Sequence, residues 1–414
     1  APARRVAGNL HAPRAPRAAA AAAARGEATG TRLRVPSRAR SRRDRTAAAR
    51  SKTGAAAAVV MDPFTGEILA RAQWPDYDPA GEDWREKRLK ADPKFMGIYG
   101  SWSDKTGNHG IFQAGSVFKL LTSVVALREG LVQADPNACP LKSEPTFVCD
   151  QVSEGRRSFT LPDWSRPIHD HGDGGGQGKV DLITGIALSS NVYFAQLGLQ
   201  VGPLGFRKLR EDGVEFGNPG LLEETEGPWT GIGSAGSRRL AQTGFGQGAG
   251  SWNVIQAARL VSAIANGGNY IHCSGSMLLG APCESKRIVE LDTSFAAILS
   301  GMQAVMQKGT GARLTTPAGL RVYGKTGTAD APGTVDEKPW GIRPGQETSP
   351  HSWFVAIAEP ADAPACADAT VGRYVVAAVV PHGGFGASAA GPLVMQVLQQ
   401  LQTLGYLPTA APKP

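Results

Sequence analysis

The sequence predicts an α/β (α+β) fold in which one sheet is assembled from distant parts of the chain. Three observations carry this expectation. Strand-like segments lie at both ends of the ordered region, at 55–72 and again between 319 and 380. Helix-like segments fill the interval between them. No internal repeat is present, so the order of elements is not that of a simple βαβ chain.

Residues 1–50 are rich in Ala, Arg and Pro without sustained apolar periodicity, which predicts a disordered basic tail. Thirteen arginines against Glu27 and Asp44 give this tail a net +11, leaving −3 of the chain's +8 for everything that follows. A slightly acidic domain offers no basic face to nucleic acid, and that class of partner is set aside. The tail reads as a solvated linker in preference to a contact with anionic lipid or polymer. No stretch reaches the ~18 consecutive apolar residues of a spanning helix. The poly-Ala run 18–24 is too short and too weakly apolar for a signal-peptide core. Residues 51–410 form the predicted domain, and 42% hydrophobic content over the chain supports a real core.

Within that domain, 55–61 and 67–72 read as two strands joined by the turn Asp62-Pro63-Phe64-Thr65-Gly66. Residues 116–129 carry apolar side chains nearly all round, the pattern of a buried helix. The stretch 130–180 is irregular. Residues 181–199 suggest helix broken around Ser189-Ser190-Asn191, and 253–266 and 293–307 suggest amphipathic helices. Strands follow at 319–323, 353–358 and 373–380, and 392–404 can close the domain as a helix.

The five cysteines form no Cys-x-x-Cys and match no zinc-module spacing. Cys139 and Cys149 are ten residues apart, as are Cys273 and Cys283, which leaves two local disulfides or free buried thiols open and Cys366 left over. His169-Asp170-His171-Gly172-Asp173 is rich in potential metal ligands but lacks defined support around it, and reads as a flexible polar loop with no metal. No cofactor is implied.

The chemistry is concentrated in three short motifs. Ser116-Val117-Phe118-Lys119 is the one Ser-x-x-Lys in the chain. Residues i and i+3 share a helix face, which brings hydroxyl and amine within reach of each other. Ser116 follows Gly115 at the helix start, where the dipole favours a developing oxyanion. Apolar neighbours desolvate Lys119, and a neutral amine beside a serine can make it a nucleophile. A capping Ser followed by a snorkelling Lys would leave the same four letters, so the tetrad needs company.

Lys-Thr-Gly occurs at Lys52, Lys105 and Lys325. The first adjoins the tail and the second lies in a polar loop. Only Lys325-Thr326-Gly327-Thr328 continues a strand-like segment, and on an edge strand Lys325 and Thr326 would present a cation and a hydroxyl to a substrate carboxylate. Gly327 would let the substrate backbone approach, and the N–H of Thr328 would join that of Ser116 as an oxyanion hole. Ser-x-Asn has two candidates. Ser189-Ser190-Asn191 interrupts a helix, where Ser189 and Asn191 can project into a cleft and relay a proton. Ser251-Trp252-Asn253 follows a glycine-rich run, and Ser251 reads as a helix cap.

Ser-x-x-Lys, Ser-x-Asn and Lys-Thr-Gly in this order resemble the signature of serine penicillin-recognising enzymes. The stretch from Val60 to Ala70 resembles the first hairpin of penicillin-binding transpeptidase domains, and Phe112 to Lys119, Gly246 to Gly268 and Gly383-Gly384-Phe385-Gly386 are similar to further stretches of them. Asp163-Trp164, the glycine-rich run 172–178, Val180-Asp181-Leu182 and the residues from Ser189 to Phe194 look most like the class B, monofunctional enzymes of the cell-elongation type. The likeness spans about residues 55–405.

The resemblance implies an antiparallel sheet flanked by helices with a mostly helical subdomain. It implies a D,D-transpeptidase that cross-links peptidoglycan stem peptides through an acyl-enzyme on Ser116 and is acylated by β-lactams. Lys119 would be the base, and Ser189, Asn191 and Lys325 would pass the proton to the departing D-Ala. Thr326, Gly327 and Thr328 would hold the donor carboxylate. It further implies an extracytoplasmic site of action and a membrane glycosyltransferase as partner. Class B members normally carry a membrane anchor and a pedestal domain, and neither is visible in these 414 residues. The chain is therefore a fragment or short form, or is anchored through another protein. Two rival readings stand beside this one. A carboxypeptidase or β-lactamase would use water as acceptor, although no Glu-x-x-Leu-Asn is present and the second motif ends in Asn. A silent scaffold would keep the fold without needing Ser116, Lys119, Asn191 and Lys325 together.

Overall fold

A computed structural model of the chain describes residues 56–74, 112–134, 143–144, 147–148, 152–153, 156–171, 178–211, 214, 236–248, 250–273, 283–290, 295–330, 349–364 and 372–409. The basic tail and Cys139, Cys149 and Cys366 lie outside these residues.

The sheet joins the two ends of the domain. Strands β1 (Ala56–Met61) and β2 (Ile68–Trp74) form the first hairpin, closed by a turn in which Asp62 Oδ1 accepts from the N–H of Phe64 and Thr65. The sheet's other strands are β5 (Leu320–Ala329), β6 (His351–Pro360) and β7 (Tyr374–Val380). The order is β5-β6-β7-β1-β2, antiparallel throughout, so the Lys-Thr-Gly strand is an edge strand as the sequence predicts. All seven residues of β7 are buried, as are nine of the ten of β6. Continuous apolar runs of this kind suit a strand covered on both faces.

The covering helices are α5 (Val254–Ala265) and α7 (Ala390–Thr403), both packed on β7. Every residue of α5 is buried. Its N-terminus is held by a reciprocal capping box between Asn253 and Gln256, at 2.8 and 2.9 Å. The cap is therefore Asn253 itself. Ser251 belongs instead to a two-residue strand paired with Phe112–Gln113, which corrects the expectation that Ser251 caps the helix.

The helical part contains α1 (Phe118–Arg128), α2 (Leu182–Leu188), α3 (Asn191–Glu211), α4 (Ser237–Gly244) and α6 (Ala296–Gln307). Ten of the eleven residues of α1 are buried, which is why it has no polar face. Helix α3 is interrupted at Gly202 (φ 65°) just before Pro203, which cannot donate to a continuing helix. Within the stretch read as irregular, the strands β3 (Arg156–Phe159) and β4 (Ile168–His169) pair antiparallel. Cys273 faces Cys283 across an antiparallel pair, and Cys283 is disulfide-bonded. Among the described residues no helix is long and apolar enough to cross a membrane.

Candidate active site

The site forms where α1, the α2–α3 turn and the edge strand β5 meet. Gly115 starts it. Its φ of +54° favours glycine, and a Cβ there would lie 2.7 Å from the carbonyl oxygen of Thr328. This close approach seats the chain against β5 and leads into a short 3-10 turn, Gly115–Val117, which carries Ser116 directly into α1. Gly246 backs the turn from the other side, since a Cβ there would stand 1.8 Å from Gly115 O. The Trp353 indole N–H of β6 donates to the Gln113 carbonyl at 3.0 Å and ties the approach to the sheet.

Lys119 occupies the second position of α1 and is fully buried. Its Nζ lies within hydrogen-bonding distance of Ser116 Oγ at 3.0 Å, Ser189 O at 2.6 Å, Ser189 Oγ at 3.2 Å and Asn191 Oδ1 at 2.8 Å. The ring of Phe194 lies 5.7 Å from the same atom. Burial lowers the Lys119 pKa from 10.5 to about 7, with the negative charge of Asp170 pulling the other way. A neutral amine 3.0 Å from a hydroxyl can accept its proton.

Ser189 and Asn191 reach Lys119 because the chain breaks between α2 and α3. Helix α2 is capped by Asp181, which accepts from Thr184 N at 2.8 Å. It ends at Ser189 with φ 55°, a left-handed conformation that costs a non-glycine residue roughly 1–2 kcal/mol. The N–H of Ser190 then bonds back to Gly185 O at 2.9 Å. Such strain persists only where the surroundings hold it.

Lys325 projects from β5 into the same cleft, fully buried, and donates to Ser189 Oγ at 2.8 Å and to Thr326 O at 3.0 Å. Burial, and then the charge of Lys119, hold its pKa well below the usual lysine value. Strand alternation sends Thr326 to the opposite face, where its hydroxyl meets that of Thr310 at 2.6 Å. Lys325 and Thr326 thus do not point the same way, which corrects that expectation. Thr328, two residues on, shares the face of Thr326 and is partly exposed. Gly327 is needed by the chain itself. A Cβ there would lie 2.7 Å from Trp353 Cβ and 2.8 Å from Val117 Cγ2, so its space is filled by packing rather than left for a substrate backbone.

The structure therefore gathers Ser116, Lys119, Ser189, Asn191 and Lys325, with Thr326, Gly327 and Thr328 along the adjoining strand. Sequence reasoning undervalued Asp170. It is buried, and its carboxylate accepts from Ser190 Oγ, Val192 N and Arg157 Nε, the last at 3.0 Å. His169 lies in β4, so the start of this segment is ordered by pairing and is no flexible loop; Gly172 and Asp173 lie outside the described residues. The signal available in the sequence was the Ile-x-Asp alternation of 168–170 ahead of a helical run, too weak to separate from a polar loop.

With this geometry in place, the similarity to known proteins is specific. A family model described as the penicillin binding protein transpeptidase domain matches residues 56–399. Stage V sporulation protein D of Bacillus subtilis is 29% identical over 372 residues, covering 85% of this chain and 50% of that protein. The peptidoglycan D,D-transpeptidase PbpA of Mycolicibacterium smegmatis is 27% identical over 368 residues, covering 80% of this chain and 63% of its own length. The chain thus spans about half to two thirds of these curated relatives. Among solved structures, the ceftriaxone acyl-enzyme complex of penicillin-binding protein A from Mycobacterium tuberculosis superposes with a TM-score of 0.60 at 23% identity. That superposition covers 83% of this chain and 73% of the other.

Proposed function

The chain belongs to the penicillin-binding protein transpeptidase domain family, and from that premise we propose that it is a peptidoglycan D,D-transpeptidase working through an acyl-enzyme on Ser116. The observation that carries this reading is the hydroxyl of Ser189, which lies 3.2 Å from Lys119 Nζ and 2.8 Å from Lys325 Nζ while Lys119 also reaches Ser116 Oγ. One unbroken hydrogen-bonded path links the nucleophile to both amines.

The steps follow from that path. A stem peptide ending in D-Ala-D-Ala lies along the edge strand β5, its penultimate carbonyl at Ser116 Oγ. Neutral Lys119 takes the proton of Ser116, and Oγ attacks the carbonyl of the penultimate D-Ala. The tetrahedral intermediate collapses to an ester on Ser116 as the C–N bond breaks. Ser189 passes a proton from the Lys119–Lys325 pair to the leaving nitrogen, so D-Ala departs as a neutral amine. The amine of a second stem peptide then attacks the ester, losing a proton back along the same path and freeing Ser116. β-Lactams enter at the first step because their strained amide presents the same carbonyl.

Among the described residues no carboxylate hydrogen-bonds Ser116, Lys119 or Lys325, so an acceptor, amine or water, would give its proton to the same two amines. The amine is favoured by the name of the mycolicibacterial relative, a D,D-transpeptidase. The reading places the domain on the extracytoplasmic side of the membrane, beside a glycosyltransferase that makes the glycan strands.

The test is a purified-protein assay with a synthetic stem peptide ester and a D-amino acid acceptor. Transfer exceeding hydrolysis supports the reading. Hydrolysis alone, unchanged by added acceptor, would favour a carboxypeptidase. No turnover and no β-lactam labelling would favour the silent scaffold.

A further inference from the structure

Asp170 is a buried carboxylate beside the cleft that the steps above leave unused. It immediately follows β4, and its two oxygens are both occupied. Oδ1 accepts from the Val192 N–H at 3.0 Å and Ser190 Oγ at 3.1 Å; Oδ2 accepts from Ser190 Oγ at 2.9 Å and Arg157 Nε at 3.0 Å. The residue before it takes part as well, because His169 O accepts from Asn191 Nδ2 at 2.9 Å. Two consecutive residues of one segment therefore grip three consecutive residues of another, 190–192.

This grip decides which way the site faces. With its Nδ2 committed to His169 O, the amide of Asn191 must turn Oδ1 toward Lys119, where it is found at 2.8 Å. Ser190 Oγ also accepts from the Tyr193 N–H at 3.0 Å and so pins the first turn of α3. Ser189, held between α2 and this anchored turn, keeps its left-handed backbone and offers both Oγ and O to Lys119. We infer that Asp170 is a positioning residue for the acylation step, holding Ser189 and Asn191 against Lys119 through Ser190 and the Val192 N–H.

A second consequence separates positioning from mere folding. The charged groups around Lys119 are Lys325, which shares Ser189 Oγ with it, and Asp170, paired with Arg157. His171 also feels Lys119, with Asp330 and Arg156 acting on it in turn. Within this set the negative charge of Asp170 favours the protonated amine, opposing burial. Removing that charge makes the amine easier to deprotonate, so the acid limb of acylation moves to lower pH.

The inference rests on the acyl-transfer reading, and one experiment tells their failures apart. The whole chain is labelled with a fluorescent penicillin from about pH 5 to pH 9, and the rate is followed in wild type, Asp170→Asn, Asp170→Glu and Ser190→Ala. Asp170→Asn is expected to label roughly tenfold or more slowly, with its acid-side midpoint at lower pH than wild type. Ser190→Ala keeps the charge and loses the grip, so it labels slowly with the wild-type midpoint. Asp170→Glu keeps a displaced charge, so its midpoint returns toward wild type while the rate stays low. Wild-type rates in Asp170→Asn or Ser190→Ala, or a slowed Asp170→Asn with an unmoved midpoint, would overturn the inference while leaving the acyl-transfer reading intact. If Asp170→Asn does not fold, Ser190→Ala decides by its rate. A wild-type chain that does not label overturns both.

Discussion

Lys119 and Lys325 donate to one and the same hydroxyl, Ser189 Oγ, at 3.2 and 2.8 Å. Both are fully buried, and among the described residues no carboxylate hydrogen-bonds either amine. Two ammonium ions so placed would repel in a region that solvates neither well. Burial and this proximity favour a neutral amine, which in the proposed reaction takes the proton of Ser116.

Acylation is therefore expected to rise with pH through about 7, where Lys119 loses its proton. Lys119→Ala removes the acceptor and should slow acylation by roughly 10²–10⁴ at neutral pH. Stopped-flow fluorescence with a labelled penicillin measures both. A rate independent of pH from 5 to 9, on a scale of about one decade per unit for a single base, would argue against Lys119 in that role.

The same depressed amine shapes stability. Unfolded Lys119 binds a proton up to its ordinary value of 10.5, and the folded amine only up to about 7. Between those values the unfolded state holds more protons, so this contribution to stability rises with pH and is smallest at and below pH 7. Lys119→Met lacks it. The stability of Lys119→Met relative to wild type should accordingly be greatest near neutral pH and shrink toward pH 10, as read by urea unfolding at a series of pH values.

Gly115→Ala places a methyl group 2.7 Å from Thr328 O at φ +54°. The backbone alone costs ~1–2 kcal/mol. Relief of the contact must separate Ser116 from β5, so penicillin labelling should fall more steeply than the melting temperature. Labelling at the wild-type rate would show that this approach is not needed.

Glu359 is fully buried and accepts from Arg373 Nε at 2.6 Å, Tyr323 Oη at 2.6 Å and Arg321 at 3.0 Å. Arg373 also donates to Ala265 O at 2.8 Å, joining β6 and β7 to α5. Glu359→Ala leaves a buried guanidinium without its carboxylate, and a loss of about 3–5 kcal/mol is expected in urea unfolding. At temperatures where the variant stays folded, its acylation rate should match wild type.

Much of this architecture can be read locally, and the reasons differ by element. The helix 116–129 and the strands at 353–358 and 373–380 are written in continuous apolar runs, and burial of α1, β6 and β7 explains them. The Ser189 break was visible because it interrupts a helical pattern. Lys325 was preferred because a strand-like segment precedes it, and it does lie in β5; Lys52 and Lys105 lie outside the described residues. What escaped depends on partners distant in sequence. Asp170 acquires its meaning from Ser190, Val192 and Arg157, and Thr326 turns away from Lys325 toward Thr310, some sixteen residues earlier. The role of Gly327 is set by Val117 and Trp353, which no local pattern connects to it. At Ser251 the error was local, since Ser and Asn are both good caps and Asn253 lies at the helix start.

The central claim is that Ser116 becomes acylated. Intact-protein mass spectrometry after incubation with benzylpenicillin, followed by peptide mapping, tests it most directly. The account requires one penicilloyl adduct per chain, located on the peptide that contains Ser116 and absent from Ser116→Ala. An unmodified wild-type chain, or an adduct that persists in Ser116→Ala, would contradict it.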